Sequence, residues 1–591
     1  MCGIAGSVPA RPSLAAQWCR ELAHRGPDVA EHRTFGGAVL AHTRLRIIDL
    51  SAAGDQPMAN EDGSIWVVFN GEIYNFASVR RELKEKGHTF RSATDTEVLV
   101  HLYEEYGDRM GERLEGMFAF AVWDDRRKRL LLMRDRLGIK PLYYREDCNG
   151  LTFASELRAL ATGDTLDDAS INAYLRLGWV PAATTVLSGI RTLPPGHLLT
   201  WEAGQSATRR WWAPRSGQHA PLGEVLRQAV RRQLVADVPV GLFLSSGVDS
   251  VVIAALAAEV APDVETYTVG FDVGEDETGA ASAISDRLGL RHHVVNLGSS
   301  EVIASLPSII GSMDQPTVDG VNSWVISKAV RDAGVVVALS GLGGDELFCG
   351  YSTFRHVPRL ASVPPLGRRL LRVASPRVGG RLGRAMEAAA TGGYAQAYAA
   401  VRGLFNNEDV ARLRPGRPAG PVPVPMIVEP WPQWGGKAGL VTQLELANYL
   451  PDQLLRDTDS MSMAHSLEVR VPLLDDAVVA AVLALQVSGK APTKRDLIDA
   501  VDPGLQAVLA GPKKTFTLPF AEWMRGPMRG SVLDGLAWLG DAPLGFDRRA
   551  LTAAWLRYEA AGESWRPVWA LAVLAWWAQD QHRRGRLRLD G

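Results

Sequence analysis

The second residue of the chain is a cysteine that could act as a nucleophile without a separate base. Cys2 follows Met1 and begins a run of small and apolar residues that ends at Gly6. If Met1 is removed, the thiol and a free α-amino group belong to the same residue. The pKa of an α-amino group is about 8, so this group can take the thiol proton directly or through a water molecule. Cys2 is therefore a candidate nucleophile, although this residue alone would equally suit a buried position in a first strand.

A second group of residues has the pattern of a phosphate-binding loop. The run Ser245-Ser246-Gly247-Val248-Asp249-Ser250 lies between a predicted buried strand, 238–244, and a predicted helix, 251–260. A small-residue loop that opens a helix presents backbone N–H groups and the positive end of the helix dipole to an anion. The chain lacks the Gly-x4-Gly-Lys-Ser/Thr motif of kinase-type loops. Taken alone, the run would also suit a serine-rich turn that caps a helix.

The chain has two different patterns of predicted secondary structure, one around each group of residues. The first two hundred residues contain short strand-like runs at 38–40, 65–69, 117–123 and 130–133, with helical periodicity at 77–86 and 96–106. After residue 222, predicted strands alternate with predicted helices, which is typical of a doubly wound parallel sheet. A stretch rich in Pro and Gly, about 193–221, separates the two regions. We therefore predict an α/β protein whose N-terminal part is α+β.

Length, charge and cysteine content exclude several classes of protein. A chain of 591 residues predicts two or more domains, and its net charge of −2 gives no basic surface for nucleic acid. No apolar run is long enough to cross a bilayer, so no membrane partner is predicted. The cysteines at positions 2, 19, 148 and 349 have no paired spacing. They predict neither a disulfide framework nor a zinc site, and they favour a reducing, cytoplasmic location.

The first two hundred residues resemble the glutaminase domain of N-terminal-nucleophile amidotransferases. The resemblance covers residues 2–195 and rests on six segments: 2–6, 24–28, 44–49, 70–75, 94–97 and 134–143. It implies an αββα sandwich in which a glutamine amide is hydrolysed through a thioester. By position, Cys2 would attack the amide carbon, while Asn70 and the backbone N–H of Gly71 would bind the oxyanion. Without the resemblance, the dipeptide Asn70-Gly71 predicts only a tight hairpin turn.

The same resemblance assigns three residues to the glutamine substrate. Arg44 would hold the α-carboxylate as a planar, two-pronged donor. Glu72 and Asp95 would accept hydrogen bonds from the ammonium group. A zwitterionic amino acid needs one fixed cation and an anionic acceptor, and this set supplies both. Read separately, Arg44 would suit a surface ion pair and Asp95 a helix cap.

The second half resembles the synthetase domain of glutamine-hydrolysing asparagine synthetases. Four further segments match in order: Gln315-Pro316, Ser340 to Phe348, Met461 to Pro472, and Lys513-Lys514. The resemblance divides the chain into a glutaminase domain (2–195), a linker (196–220) and an ATP-pyrophosphatase-type synthetase domain (221–591). Within the last of these, 362–440 is predicted as a helical insertion, with an acceptor-binding lid as the alternative.

This second resemblance implies an ATP site that uses Mg2+. The residues expected to contact ATP are Phe243, Val269 and Gly341 beside the adenosine, Ser245, Ser246, Gly247 and Ser250 beside the phosphates, and also Ser340. Asp249 and Asp345 would carry Mg2+, whose charge offsets the departing pyrophosphate. Lys494 would stabilise that leaving group, assisted by Lys513 or Lys514.

The match departs from the family pattern around the acceptor. Leu342 stands where most asparagine synthetases have an acidic residue, and leucine cannot accept a proton. Deprotonation of the tetrahedral intermediate would then need Glu346, water or the substrate. The segments Asp319 to Asn322 and Asp459-Ser460 also differ. The acceptor is therefore predicted to be either aspartate or a larger, specialised carboxylate.

The predicted function is a glutamine-dependent, asparagine synthetase-like ligase that releases AMP and pyrophosphate. Its substrates would be glutamine, ATP and a carboxylic acid, and the family resemblance allows a homodimer. Four alternatives stay open. They are a specialised amide synthetase of secondary-metabolite or cell-envelope biosynthesis, an amidotransferase acting on a sugar phosphate or phosphoribosyl acceptor, a glutaminase paralogue with an inactive synthetase site, and a lactam-forming cyclase.

Overall fold

The structure is a computed structural model of the chain. It describes residues 2–182, 184–214, 220–271, 278–374, 380–417, 435–507, 518–561 and 564–589. Lys513 and Lys514, which the sequence suggested as assisting residues, lie outside the described residues.

The N-terminal region is built from two antiparallel sheets. Its strands are β1 (Gly3–Val8), β2 (Val29–Thr34), β3 (Val39–Arg44), β4 (Met58–Ala59), β5 (Ile65–Ile73), β6 (Gly116–Asp124), β7 (Arg129–Arg134), β8 (Tyr143–Asp147), β9 (Gly150–Ala154), β10 (Ile190–Thr192), β11 (His197–Glu202) and β12 (Gln205–Arg210). The first sheet has the order β10-β8-β9-β1-β3-β2, and the second has the order β12-β11-β7-β6-β5-β4. Strand β1 lies inside the first sheet, between β3 and β9, so Cys2 directly precedes a fully buried strand.

The two sheets pack face to face and carry helices on their outer faces. Ile4 and Leu40 of the first sheet share a buried core with Val68 and Leu130 of the second. Helix α1 (Pro12–Glu21) packs on the first sheet, and α3 (Glu97–Tyr106) packs on the second, next to α2 (Phe76–Glu85). Alternating side chains of each strand thus fill both an inner and an outer core. This arrangement confirms the predicted αββα sandwich.

The structure differs from the sequence-based expectation over the first half of the predicted linker, 196–220. Strands β11 and β12 lie there, and β11 pairs with β7. Leu198 faces the core beneath α3, whereas Leu199 faces the core between the sheets. Pro194, Pro195 and Gly196 mark a turn, which by itself suits a linker, but this turn leads into two more strands of the second sheet.

The second half contains a parallel sheet. Its strands are β13 (Val240–Phe243), β14 (Glu265–Phe271), β15 (Arg291–Leu297), β16 (Val337–Leu339) and β17 (Glu468–Arg470), in the order β15-β14-β13-β16-β17. The order reverses direction between β13 and β16, which pair with each other. In doubly wound sheets, ligands bind at the carboxyl ends of the strands at such a switch point. The segments 245–250 and 340–346 follow β13 and β16, so both predicted ATP loops lie at this point.

Helices surround the parallel sheet and continue to the C-terminus. They are α4 (Asp168–Leu177), α5 (Leu222–Gln233), α6 (Val248–Val260), α7 (Thr278–Leu288), α8 (Ser299–Ser312), α9 (Val321–Asp332), α10 (Gly344–Leu347), α11 (Thr353–Ala361), α12 (Pro365–Ala374), α13 (Gly380–Thr391), α14 (Tyr394–Arg402), α15 (Asn407–Leu413), α16 (Gly436–Leu444), α17 (Arg456–Met463), α18 (Asp476–Val487), α19 (Lys494–Val501), α20 (Phe520–Arg525), α21 (Arg529–Asp541), α22 (Arg548–Ala561) and α23 (Arg566–Arg583). A π-helical segment, Glu445–Leu455, joins α16 to α17.

Two features of these helices bear on the sequence-based expectations. The predicted insertion, 362–440, contains α12 to α15 and the start of α16, and α14 packs against α11 and α16. Among the described residues, no helix combines the length and apolar character needed to span a membrane.

Candidate active sites

Cys2 and Asn70 lie in direct contact between the two N-terminal sheets. The backbone nitrogen of Cys2 donates a hydrogen bond to Oδ1 of Asn70 at 3.1 Å. The Cys2 residue is only 8% exposed. Burial raises the pKa of its thiol above the usual 9.0, while the charges of the chain's amino terminus and of Arg44 act in the opposite direction. A general base close to the thiol is therefore needed, and the α-amino group created by removal of Met1 would occupy that place.

Asn70 and Gly71 lie within a continuous strand, which corrects the hairpin expected from this dipeptide alone. Both belong to β5, where they face Ala119 and Phe118 of β6. Asn70 is fully buried, and its Nδ2 has no hydrogen-bond partner among the described residues. A buried donor without a partner carries an energetic penalty that an arriving oxyanion would relieve. At Gly71, a Cβ atom would lie 2.1 Å from the carbonyl oxygen of Met117, so the close strand approach requires glycine.

Arg44 ends β3 and lies buried beside this site. Its guanidinium donates to the carbonyl oxygens of Ser51 at 2.8 Å and Asp49 at 2.5 Å, and it pairs with Asp55 at 2.5 Å. These contacts fix the cation in one orientation. They also commit several of its N–H groups to the loop 48–55, so its role as a carboxylate clamp stays a prediction.

Glu72 and Asp95 form a buried acidic pair. The exposed fraction of each residue is 4%. Burial raises the pKa of Asp95 to about 6. Burial and the neighbouring charge of Asp95 raise the pKa of Glu72 well above its usual range. Two carboxyl groups whose ionisation is mutually unfavourable suit a pocket that receives a cation, since an ammonium group would favour the charged form of both.

The synthetase half contributes two residues to this pocket that the sequence did not single out. Arg470 on β17 reaches Glu72, with an N–O distance of 3.3 Å, and pairs with Glu468 at 2.6 Å. All three side chains are buried. The backbone carbonyl of Arg470 also accepts a hydrogen bond from the N–H of Ser340 at 2.9 Å. One residue thus contacts the acidic pair through its side chain and the predicted ATP loop through its backbone. The segment Met461 to Pro472 was recognised as a family match, but its sequence gives no sign of contact with residue 72.

We expect Arg470→Lys to raise KM for glutamine about tenfold near neutral pH, which corresponds to about 1.4 kcal/mol. One ammonium group cannot replace the guanidinium contacts to Glu468, Glu72 and two backbone carbonyls. The pKa of Glu72 should therefore rise further, leaving this carboxyl protonated up to a higher pH. Glutaminase kinetics measured against pH should show KM recovering as pH increases. Ammonia-dependent synthesis is the control, because the contact with Ser340 uses the backbone. An unchanged pH profile would argue against this role.

The loop 245–250 is folded around its own serines. Oγ of Ser250 accepts from the backbone N–H of Ser245 at 3.1 Å and lies 2.9 Å from Oγ of Ser245. Oγ of Ser245 accepts from the N–H of Gly247 at 3.2 Å. Helix α6 begins within this segment, at Val248, so its N-terminal N–H groups face the sheet edge. Its own side chains thus order this turn, and its role in binding the phosphates stays a prediction.

Three charged side chains converge beside this loop. Nζ of Lys494, at the start of α19, donates to Oδ2 of Asp249 at 2.6 Å and lies 2.8 Å from Oδ1 of Asp345. Each of these side chains is about one-fifth exposed. A Cβ atom at Gly344 would lie 2.2 Å from Asp249, and one at Gly350 would lie 1.9 Å from Asp345. The glycines therefore make room for the two carboxylates, and the structure brings together the three residues that the sequence assigned to metal and pyrophosphate.

The other predicted ATP residues surround the same sheet edge. Phe243 ends β13, Val269 is buried in β14, and Ser340 follows β16. A Cβ atom at Gly341 would lie 2.8 Å from the Cβ of Asp249, so the two loops touch. Ser246 belongs to the same turn as Ser245.

Comparisons with known proteins cover both halves of the chain. A family model described as a glutamine amidotransferase domain matches residues 1–212, and one described as asparagine synthase matches residues 222–579. A glutamine-hydrolysing asparagine synthetase 1 of Bacillus subtilis (strain 168) is 30% identical over 568 residues, covering 89% of this chain and 88% of the relative. A glutamine-hydrolysing asparagine synthetase 2 of Oryza sativa subsp. japonica is 34% identical over 382 residues, covering 60% and 59%.

The chain belongs to the glutamine-hydrolysing asparagine synthetase family. It is an asparagine synthetase-like amidotransferase, and glutamine and ATP fit this family as its substrates. The comparisons favour none of the four alternatives: a specialised amide synthetase, an amidotransferase acting on a sugar phosphate or phosphoribosyl acceptor, a glutaminase paralogue, or a lactam-forming cyclase.

In this asparagine synthetase-like enzyme, Glu346 belongs to a buried polar cluster near Leu342. Tyr351 donates to Oε1 of Glu346 at 2.9 Å. Burial, with a smaller contribution from Glu445, raises the pKa of Glu346 to about 7. Arg402 lies over the rings of Tyr351 and Tyr449, with distances of 4.1 and 3.7 Å to the ring centroids, and pairs with Glu445 at 2.8 Å. Arg402 ends α14, so the region predicted as an insertion delivers a cation to this cluster.

A second buried network joins the two halves of the enzyme. Arg25 pairs with Glu156 at 2.8 Å and with Asp459 at 2.9 Å, and it also donates to the carbonyl oxygen of Cys2 at 3.1 Å. Lys140 lies 3.6 Å from Asp459. Each of these side chains is nearly or completely buried. Sequence reasoning missed this network, because its members come from four separate segments.

Proposed function

We propose that this enzyme releases ammonia from glutamine at Cys2 and uses it to amidate a carboxylic acid that ATP has activated. The observation that best supports this proposal is the position of β17. The side chain of Arg470 lies against Glu72, while its backbone holds Ser340 at the ATP loop. Strand β17 therefore contacts both proposed sites, as expected for two reactions that share ammonia as an intermediate.

At the glutaminase site, the thiol of Cys2 transfers its proton to the α-amino group and attacks the side-chain amide carbon of glutamine. The oxyanion is received by Nδ2 of Asn70 and the backbone N–H of Gly71. The amino group then protonates the leaving nitrogen, which departs as ammonia and leaves a thioester on Cys2. Water hydrolyses the thioester to glutamate. Arg44, Glu72 and Asp95 hold the two charged groups of the amino acid.

At the synthetase site, ATP converts a carboxylate into an acyl-adenylate. A carboxylate is a poor electrophile at neutral pH. Attack of one of its oxygens on the α-phosphorus of ATP expels pyrophosphate, and AMP is then a good leaving group from the acyl carbon. Asp249 and Asp345 fit a hard divalent cation, because they place carboxylate oxygens on one side of the phosphate loop within reach of Lys494. When bound, Mg2+ offsets negative charge on the phosphates. Lys494 stabilises the pyrophosphate, and ammonia attacks the acyl carbon to give the amide and AMP.

The ammonia must stay unprotonated between the two sites, because the ammonium ion is not a nucleophile. The buried network of Arg25, Glu156, Asp459 and Lys140 lies at the contact between the two halves. We propose that ammonia crosses this contact region, where bulk water is excluded. A reducing cytoplasm as the location, expected from the unpaired cysteines, and pairing as a homodimer, expected from the family, accompany the proposal.

The acceptor is proposed to be aspartate, as the names of the relatives suggest, with a larger carboxylate as the second candidate. The second candidate is favoured by Leu342, which offers no carboxylate for an acceptor's ammonium group and packs instead against an apolar core. Glu346, with its pKa near 7, is the group proposed to take the proton from the tetrahedral intermediate.

Pyrophosphate release from ATP and Mg2+ with a panel of carboxylic acids tests this proposal. With glutamine or ammonia present, aspartate should give pyrophosphate, AMP and asparagine in equal amounts. If a larger acid does so at far higher kcat/KM, that acid is the acceptor and the reaction class stands. Glutamine hydrolysis without pyrophosphate release for any acid in the panel would contradict the synthetase assignment.

A further inference from the structure

A cluster of histidines and carboxylates lies in the glutaminase domain, on the outer side of the second sheet. Glu61 follows β4, His88 follows α2, and His101 and Glu104 lie on α3. One nitrogen or oxygen atom from each of these four residues lies within 4.8 Å of the others. None of the four belongs to the proposed glutaminase or synthetase machinery.

Four distances between these residues, from 3.3 to 3.8 Å, are close to the edges of a coordination tetrahedron, with Glu61 facing each histidine through a different carboxylate oxygen. Nδ1 of His101 lies 3.3 Å from Oε2 of Glu61 and 3.3 Å from Oε2 of Glu104. Nδ1 of His88 lies 3.4 Å from Oε1 of Glu61 and 3.8 Å from Oε2 of Glu104. Bonds of about 2.0–2.2 Å from zinc to nitrogen or oxygen give tetrahedral edges of about 3.3–3.6 Å. We propose that Glu61, His88, His101 and Glu104 bind a zinc ion.

A second layer of contacts orients three of these four ligands. The other nitrogen of His88, Nε2, lies 3.3 Å from Oε1 of Glu105. Nδ2 of Asn60 donates to Oε1 of Glu104 at 2.9 Å, and the backbone N–H of Thr89 donates to Oε1 of Glu61 at 3.0 Å. A carboxylate behind a ligating histidine and hydrogen bonds to ligating carboxylates are the usual supports of a metal centre.

The fourth ligand, His101, is held by packing. It is 1% exposed, and its ring centroid lies 4.6 Å from that of Phe90. Its Nε2 has no hydrogen-bond partner among the described residues.

The two histidine rings lie side by side, with their centroids 4.8 Å apart. A divalent cation in this cluster would balance the charges of the carboxylates of Glu61 and Glu104, with the two imidazoles as neutral ligands.

The position of the cluster gives the ion a structural role in the glutaminase domain. Helix α3 begins at Glu97, two residues after Asp95, and carries two of the four ligands. Of the other two ligands, Glu61 lies in the loop between β4 and β5, and His88 lies in the loop between α2 and α3. The ion would therefore fasten α3, and with it Asp95, to the outer face of the second sheet.

The test measures zinc content and binding in a Cys2→Ala background, which removes the reactive thiol as a competing ligand. The parent, without an affinity tag, is stripped with a chelator and titrated with zinc in the absence of ATP. It should bind one equivalent, and its unfolding temperature should rise. The double variant His88→Asn/Glu104→Gln should lose that equivalent and the rise in unfolding temperature. The matched control is His293→Asn/Glu265→Gln, which removes an ordinary His–Glu pair with a 3.1 Å contact and should behave as the parent does.

A second measurement on the Cys2→Ala parent, which keeps all four ligands, keeps the result clear if the double variant folds poorly. Cobalt replaces zinc in such sites, and a tetrahedral site with nitrogen and oxygen ligands should give intense visible absorption with one equivalent of Co2+. Equal zinc content in the parent and a folded double variant would overturn the proposal. So would a parent that binds zinc only at large excess, or a Co2+ spectrum typical of octahedral coordination.

Discussion

Replacing Cys2 with alanine is expected to lower glutamine-dependent amide formation by at least about a thousandfold while ammonia-dependent formation continues. The hydrogen bond from the Cys2 backbone nitrogen to Oδ1 of Asn70 places Cys2 next to the Asn70 side chain, whose Nδ2 has no hydrogen-bond partner within the described part of the chain. Without the thiol, the thioester cannot form. The ATP loop and Lys494 are untouched, so free ammonia still reaches the acyl-adenylate. Rates of amide formation with glutamine and with ammonium chloride at alkaline pH measure the difference.

The matched control for this prediction is Cys148→Ala, which removes an exposed thiol and should leave both activities unchanged. The intact mass of the wild-type protein reports whether Met1 has been removed, as the mechanism requires. Glutaminase activity that survives in Cys2→Ala would show that another group is the nucleophile. Equal loss of both activities, in a variant with an unchanged unfolding temperature, would show that Cys2 also supports the synthetase reaction.

The local sequence pattern predicted the fold class of both halves. Strand β13 and helix α6 lie where the apolar runs at 238–244 and 251–260 placed them, because a buried parallel strand and its crossover helix each leave a local signal. The dipeptide Asn70-Gly71 misled when read alone, since its turn propensity is overridden by pairing with β6. Gly71 is needed there for close approach to Met117. Only the family resemblance gave these two residues their proposed role.

The sequence did not predict the contacts between residues that lie far apart along the chain. Arg470 and Glu72 lie nearly four hundred positions apart, and a charged residue in a motif does not reveal its partner. Arg402 lies in the segment predicted as a helical insertion, yet only 13% of its side chain is exposed and its guanidinium lies over the rings of Tyr351 and Tyr449. The ligands of the proposed zinc site are spaced 27, 13 and 3 residues apart, with no repeated motif. Such clusters become visible only when the fold brings the segments together.

Replacing Asp249 with asparagine is expected to lower pyrophosphate release by about a hundredfold or more while glutamine hydrolysis continues. The change preserves size but removes the charge that Lys494 contacts at 2.6 Å. Lys494 would then be held by Asp345 alone, and one of the two proposed Mg2+ ligands would lose its charge. Loss of a single electrostatic group that acts on a developing charge costs about two to three orders of magnitude in kcat. Pyrophosphate release and glutamate formation, measured in the same reaction mixture, separate the two activities.

The control for this variant removes another Lys–Asp contact of equal length. Nζ of Lys328 lies 2.6 Å from Oδ2 of Asp332 on the exposed side of α9, and Asp332→Asn should change neither activity. If the role of Asp249 includes binding the metal, raising the Mg2+ concentration should partly restore pyrophosphate release in Asp249→Asn. If Asp249 only orients Lys494, added Mg2+ should have no effect, and the metal assignment would fail while the lysine assignment stands. Loss of glutamine hydrolysis with retained pyrophosphate release would reverse the proposed division of labour between the two halves.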